Sequence, residues 1–200
     1  MDIALIIRST LYFLALINPA SKIFILSTVD PPYSKKDLMV ISVRSTIVAA
    51  IILVILAAIG NFILLAIFNV NLYSLKVAGG IVLFIVGLTA VRKGRFYEES
   101  ALEQVSDISI VPLAAPLIAG PGTITAAISY SSMHGLLLTI ICILISLIIN
   151  LLLMLVSSRI GRALEKINGT GPLIRITGLV VTSVAVQMIF SGLADWMGEM

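Results

Sequence analysis

Pro112, Pro116, Gly120, Pro121 and Gly122 fall within eleven positions of one uncharged, apolar run, Pro112-Leu-Ala-Ala-Pro-Leu-Ile-Ala-Gly-Pro-Gly-Thr-Ile-Thr125. Each proline removes a backbone donor and clashes with the carbonyl one turn earlier, so no straight helix accommodates the run. A milder interruption, Asn18-Pro19, lies well inside another apolar stretch. Broken backbone in apolar surroundings must be buried in protein or line a polar cavity, because each unsatisfied amide or carbonyl facing hydrocarbon costs several kcal/mol. A half-helix beginning near Ala20 or Thr123 aims free amides and a positive dipole end at the break, which suits a carboxylate. Carbonyls exposed on the other side of each break suit an ammonium or a sodium ion. Together these describe a zwitterionic amino acid, with Asn18, Ser21, Thr123 and Thr125 as side-chain partners and glycines allowing close backbone approach, which favours a small substrate. The substrate-binding candidates are Asn18, Pro19, Ser21, Lys22, Pro116, Gly120, Pro121, Gly122, Thr123 and Thr125. One kink alone serves packing well enough; two aligned clusters ask for a function. Lys22 either snorkels to the interface or faces the cavity, countering a carboxylate or the half-helix carbonyls.

The elements that would position these residues follow from composition. Of 200 residues, 60% are hydrophobic and 12% charged, with a mean hydropathy of +1.16, outside the range of soluble domains. A bilayer crossing takes about 20 apolar residues, so the chain has room for roughly six helices and no separate soluble domain. The gaps between charges place spans at about Ile3 to Thr28, Ser45 to Phe68 and Tyr73 to Val91. Two more occupy the charge-free run Ile108 to Ser158, divided near Ser129 to Gly135, and the last covers about Ile176 to Asp195. Runs such as Leu136 to Asn150 are apolar nearly all round, which excludes the alternation of a strand barrel. The first span lacks the basic leader and small-residue site of a cleaved signal and is read as retained. Ten of the thirteen basic residues fall in or beside the connections after spans one, three and five: Lys35, Lys36, Arg44, Arg92, Lys93, Arg95, Arg159, Arg162, Lys166 and Arg175. Lys and Arg near span ends stay in the cytoplasm, so both termini are expected outside a cytoplasmic membrane. Tyr12, Tyr33, Tyr73, Tyr97, Tyr130 and Trp196 sit near span ends, as interfacial aromatics do. Asn168-Gly169-Thr170, a glycosylation pattern on the inner side, is read as a turn.

The two halves resemble one another. Asn18-Pro19-Ala20-Ser21 matches Gly120-Pro121-Gly122-Thr123 at an offset of 102, Ile59-Gly60 matches Ile160-Gly161 at 101, and Lys76 to Gly79 matches Arg175 to Gly178 at 99. Three spans per half force the copies into opposite orientations, in agreement with the charge bias. The expected fold is therefore an all-α integral membrane protein, six transmembrane helices in two inverted three-helix repeats, residues 1–95 and 105–198, with helices one and four broken.

Other residues carry less. Gly79, Gly80, Gly87 and Gly178 make small faces for helix contact. Lys76 and Arg175 are read as interfacial anchors, and Asn150, Gln187, Thr182 and Ser183 as buried groups able to bond across helices. No Asp or Glu lies mid-span, Asp195 being at the far end of helix six, which leaves sodium held by carbonyls and hydroxyls, a proton carried otherwise, or no coupling at all. A membrane enzyme would need an HExxH helix or paired carboxylates. Neither is present: His134 is the sole histidine and Cys142 the sole cysteine, so no catalytic residue, metal site or cofactor is assigned. The scattered basic residues do not form a nucleic-acid surface. The partners expected are the lipid bilayer and a small-molecule substrate, and homo-oligomerisation is left open.

At Leu113 to Ile124, supported by Ile17-Asn-Pro-Ala-Ser-Lys22, the sequence resembles the MarC family of six-span prokaryotic inner-membrane proteins, grouped more broadly with LysE-type exporters. The resemblance covers the whole chain. It implies a polytopic helical protein that transports small neutral amino acids such as alanine or glycine, and it marks Asn18, Pro19, Gly120, Pro121 and Gly122. Nothing in the sequence resembles a large drug-binding cavity. The rival class is a structural or partner-binding membrane subunit, in which kinks and small residues serve packing alone.

Overall fold

A computed structural model describes residues 2–27, 33–94 and 113–199. Pro112, Arg95, Tyr97 and the junction expected between the two repeats lie outside the described residues. The first interruption divides one apolar run into α1 (Ile3–Ile17) and α2 (Pro19–Ser27). Asp2 caps α1 by accepting from the Ala4 amide at 3.0 Å. Ser34 caps α3 (Lys35–Phe62) through the Asp37 amide at 3.1 Å, so the polar residue before each apolar run sets where the helix starts. A π-helical turn, Ile63–Ile67, ends α3, and Asn69 then takes a left-handed conformation with φ 51°. α4 (Leu72–Lys93) follows, with Arg92 and Lys93 in its last turn and Gly94 as its left-handed cap. The irregular segment Leu113–Ile118 leads into α5 (Pro121–His134), and Gly135, φ 87°, turns the chain into α6 (Leu136–Leu155). A short amphipathic helix, α7 (Ser157–Lys166), and the long α8 (Thr170–Gly198) complete the described chain.

The bundle has an apolar core, with Phe13, Leu53 and Ile143 fully buried, and unlike a soluble protein it is apolar on the outside as well. On α3 the buried residues include Ser42, Ser45, Ala49, Ala57 and Gly60, whereas Ile47, Ile51, Ile55 and Ile59, four apart on the opposite stripe, are exposed. Large aliphatic groups outward and small or hydroxyl groups inward are what hydrocarbon solvent selects, since helix association there relies on close packing rather than on apolar burial. Five helices among the described residues are long and apolar enough to cross a membrane: Ile3–Ser27, Lys35–Ile67, Leu72–Lys93, Leu136–Leu155 and Thr170–Gly198. The fourth expected span is not one of them, because its prolines and glycines divide it into Leu113–Ile118 and the fourteen-residue α5. α8 starts six residues before the expected Ile176. Pro172 falls in its first turn, where a missing N–H costs nothing. The Asn168 turn is formed, with φ 50°.

The directions of the helices can be read from their contacts. The Cys142 thiol lies 3.9 Å from the Ile6 carbonyl and the Ser146 hydroxyl donates to the Thr10 carbonyl at 2.9 Å, so α1 and α6 run parallel. α3 meets α5 where Gly60 faces Ile128. α4 and α8 run antiparallel along a seam of small residues: Gly80 lies against the Ala185 backbone, Gly87 against Thr182 and Gly178, and Gly192 against the Tyr73 backbone. The glycines thus take the packing role expected of them. The bundle end where α1 starts and α8 stops is here called the terminal face.

This seam yields a first prediction. A Cβ on Gly87 would lie 2.8 Å from the Thr182 nitrogen and 3.0 Å from the Gly178 oxygen, both backbone atoms of α8 that cannot rotate away. Overpacking of this kind costs about 1–3 kcal/mol for added methylenes. Gly87→Leu is therefore expected to lower the thermal midpoint of the detergent-solubilised protein and to broaden its size-exclusion peak. An unshifted midpoint would show that the seam is looser than described.

Candidate functional site

At the first break, Asn18 ends α1 with φ 53° and ψ 74°, and its N–H donates to the Leu14 carbonyl at 2.9 Å. Asparagine tolerates this left-handed conformation better than a branched residue would. Pro19 then fixes φ and opens α2, where its missing N–H is harmless. The Ser21 hydroxyl donates to the Asn18 carbonyl at 2.8 Å, holding the start of α2 over the end of α1. Lys22, one turn into α2, folds back across the break and donates from Nζ to the Ile17 carbonyl. It is 1% exposed. Of the two readings of this lysine, snorkelling is overturned: the ammonium sits against the negative C-terminal end of α1, where a cation is favoured.

The second break is built differently and leads to the same result. Ala115 is extended at φ −138° and ψ 126°, and the Ala115–Pro116 peptide is cis. Gly120 is the extended N-cap of α5 and Pro121 its first residue. The first regular helical bond of α5 runs from the Ile124 amide to the Gly120 carbonyl at 2.9 Å, which leaves the amides of Gly122 and Thr123 ahead of it as first-turn donors. Gly120 has to be glycine for reasons of space: a Cβ there would meet the Pro116 carbonyl oxygen at 2.6 Å.

The two breaks meet. Asn18, Ser21, Lys22, Pro116, Gly120, Pro121, Gly122 and Thr123 line one recess with about 460 Å³ of atom-free space, part of it open to the exterior. Eight of the ten residues singled out in the sequence are thereby brought together across about 100 positions of chain. The other two are placed elsewhere. Pro19 lines a separate shallow groove with Ala20, Thr177 and Val180. Thr125 packs its side chain on Gly79 of α4 and closes the contact between α4 and α5.

Sequence reasoning missed the apolar walls, Val82, Leu83 and Val86 of α4 and Val181 of α8. Their signal was indirect: they lie within a few residues of Gly79, Gly80, Gly87 and Gly178, whose missing side chains let these helices close on the breaks.

The recess brings together both kinds of helix end, the C-terminal carbonyls of α1, one of which accepts from Lys22, and two helix N-termini. α2 runs from its break toward one face and α5 from its break toward the other, so two helix N-termini converge on the same space. Lys22 adds a basic amine, and no carboxylate is among the described residues that line the recess. Thr182 and Ser183, expected to bond between helices, donate instead to the Gly178 and Leu179 carbonyls of their own helix, at 2.8 and 2.9 Å. Asn150 points its amide nitrogen at the Met154 sulfur of its own helix at 3.1 Å.

A second cavity, of about 540 Å³ of atom-free space, lies toward the terminal face and includes Tyr12, Lys76, Ser129, Tyr130, Gln187 and Ser191 in its lining. The expectation that Lys76 is an interfacial anchor is corrected here. Its side chain is buried and donates to Asp195 Oδ2 at 2.6 Å, a partner 119 residues away that sequence proximity could not reveal. Tyr130 stacks on Tyr12 with ring centroids 6.0 Å apart and shares a 2.5 Å hydrogen bond with the Ser9 hydroxyl.

The MarC family integral membrane protein model matches residues 3–197. The chain is 34% identical to a UPF0056 membrane protein of Pyrococcus horikoshii over 187 residues, covering 94% of this chain and 92% of that one. It is also 34% identical to a UPF0056 membrane protein of Methanocaldococcus jannaschii over 206 residues, covering 96% and 98%. The UPF0056 membrane protein YvbG of Bacillus subtilis is 27% identical over 208 residues, with 96% of each chain covered. No solved structure matches. With a family model spanning nearly its whole length, and with apolar helices and two interrupted segments where the resemblance placed them, the chain belongs to the MarC family of integral membrane proteins.

Proposed function

We propose that the protein is a carrier for a small zwitterionic solute, a small neutral amino acid such as alanine or glycine, moved by alternating access around the two breaks. The observation that carries the reading is the recess where the N-termini of α2 and α5 converge beside buried Lys22. The solute carboxylate is held by the Gly122 and Thr123 amides and the Lys22 ammonium. Its ammonium faces carbonyl oxygens such as that of Pro116 and the Asn18 carboxamide. Among the described residues no carboxylate lines the recess, so the coupling ion is either sodium held by carbonyl and hydroxyl oxygens or a proton carried elsewhere, unless transport is uncoupled. The carrier has six spans in two inverted repeats, and both termini face outward from a cytoplasmic membrane. Matched packing supports the repeat: the first broken span packs on α6 as the second broken span packs on α3, while α4 and α8 pair with each other. Lys35, Lys36, Arg92, Arg159 and Arg162 lie toward the face opposite the termini.

Purified protein in liposomes is expected to accumulate labelled alanine or glycine. Asn18→Leu removes a polar partner of a charged solute, a loss of about 1.5–3 kcal/mol that lowers uptake by roughly 10- to 100-fold. Asn18→Gly keeps the left-handed backbone and separates the loss of the carboxamide from strain. Wild-type protein that binds and moves no small amino acid would remove the carrier reading and leave the packing role of a structural subunit.

A further inference from the structure

The buried Lys76 and its cavity have no part in the central recess, yet they continue it. From recess to cavity, the lining moves from Leu83 to Lys76 on α4, from Thr123 to Ser129 on α5, and from Val181 to Gln187 on α8. These are steps of six or seven residues, about 9–10 Å of helix rise. α4 runs opposite to α5 and α8, so all three steps lead the same way, toward the terminal face. The two spaces are thus successive stations between the same helices, separated where Thr125 packs on Gly79.

The ion pair in the outer station is uneven. The Lys76 side chain is 5% exposed and the Asp195 side chain 44%. The cation is fixed in the wall and also approaches Ser191 Oγ and the Met133 sulfur, both at 3.4 Å, while the carboxylate reaches it from the rim. An anion entering alone would strand Asp195, and an amine entering alone would strand a buried ammonium, which is the more costly of the two. A solute bearing both charges satisfies both partners at once.

We propose that this cavity is a loading subsite for zwitterions, in which the solute carboxylate takes the place of Asp195 on Lys76 and the solute ammonium pairs with the displaced Asp195 carboxylate. The proposal rests on the carrier reading for its role in transport, but its binding chemistry is separate. Trp196, the sole tryptophan, adjoins Asp195 and reports on it.

In detergent, glycine and alanine are expected to change Trp196 emission saturably, with propionate and ethylamine at least about tenfold weaker, because each leaves one charge of the pair without a partner. Lys76→Met and Asp195→Asn are each expected to weaken glycine binding at least about tenfold and to raise the KM for alanine uptake in liposomes. Asn18→Leu, which blocks the central station, is expected to leave the emission titration unchanged. Asp195→Asn alters an exposed, isosteric group and keeps the test decisive if Lys76→Met does not fold. Uptake by wild-type protein with the same KM in both variants overturns the subsite and leaves the carrier standing. A charge-dependent Trp196 response in protein that moves no amino acid supports the subsite and removes the carrier. Equal responses to propionate and glycine, or no response at all, overturn the subsite.

Discussion

Lys22→Met is expected to abolish uptake of alanine by reconstituted protein while leaving the thermal midpoint unchanged or higher. The two readouts move apart because the lysine is costly where it sits. A fully buried ammonium carries a desolvation penalty of several kcal/mol, and its bond to the Ile17 carbonyl recovers only part of it. Methionine fills a similar volume, and the Ile17 carbonyl left without its donor costs about 1–3 kcal/mol, no more than the relief. Transport has no such compensation. Losing one member of a desolvated charge pair costs about 2–5 kcal/mol, so solute affinity falls by roughly 30-fold or more. Uptake kinetics and a thermal melt on the same preparation check both arms. Retained uptake would reduce Lys22 to a cap on α1, and a lowered midpoint with lost uptake would make its role structural.

Gly120→Ala adds a single methyl group and is expected to have an effect of similar size by a different route. The new Cβ would lie 2.6 Å from the Pro116 carbonyl oxygen, against an ordinary contact of 3.4 Å or more. The obstacle is backbone in a segment already fixed by two prolines, so α5 must move at its first residue. That displaces the Gly122 and Thr123 amides by several tenths of an ångström, and misplacing reacting groups by about 1 Å costs on the order of 100-fold in catalytic sites. Uptake should fall toward that scale, while stability drops by only about 1–3 kcal/mol. Gly171→Ala is the control. A Cβ there meets nothing within 4 Å, and alanine in a helix is favoured over glycine by about 0.5–1 kcal/mol. Equal behaviour of the two variants in uptake assays would argue that the close approach of Gly120 to Pro116 has no functional purpose.

Features whose cause is local in the chain were legible in the sequence. The breaks at Asn18 and Gly120 come from proline and glycine chemistry that acts within one turn, the end of α4 follows from the charges at Arg92 and Lys93, and the turn between α5 and α6 follows from the small and polar run that ends in Gly135. Features that depend on distant partners were not legible. The burial of Lys76 depends on Asp195, and the placement of Thr125 depends on the absence of a side chain at Gly79. The π-helical turn at Ile63–Ile67 contains neither proline nor glycine, so nothing in its residue types marks it. α7 was hidden for another reason. Its Arg159, Arg162 and Lys166 read as a charged connection, although the three- and four-residue spacing places them on one side of a helix whose Gly161 packs on Ser27 of α2.

The hinge at Asn18 gives α2 the properties of a lever. The rod has nine residues, about 13 Å at 1.5 Å per residue, and it pivots on one left-handed residue once the Ser21–Asn18 and Lys22–Ile17 hydrogen bonds that clamp it to α1 are released. Turning it by about 20° would carry its Ser27 end sideways by about 4–5 Å, close to the width of an ammonium group. Because Gly161 rides against that end, the same swing would carry α7 and its Arg159, Arg162 and Lys166 side chains with it.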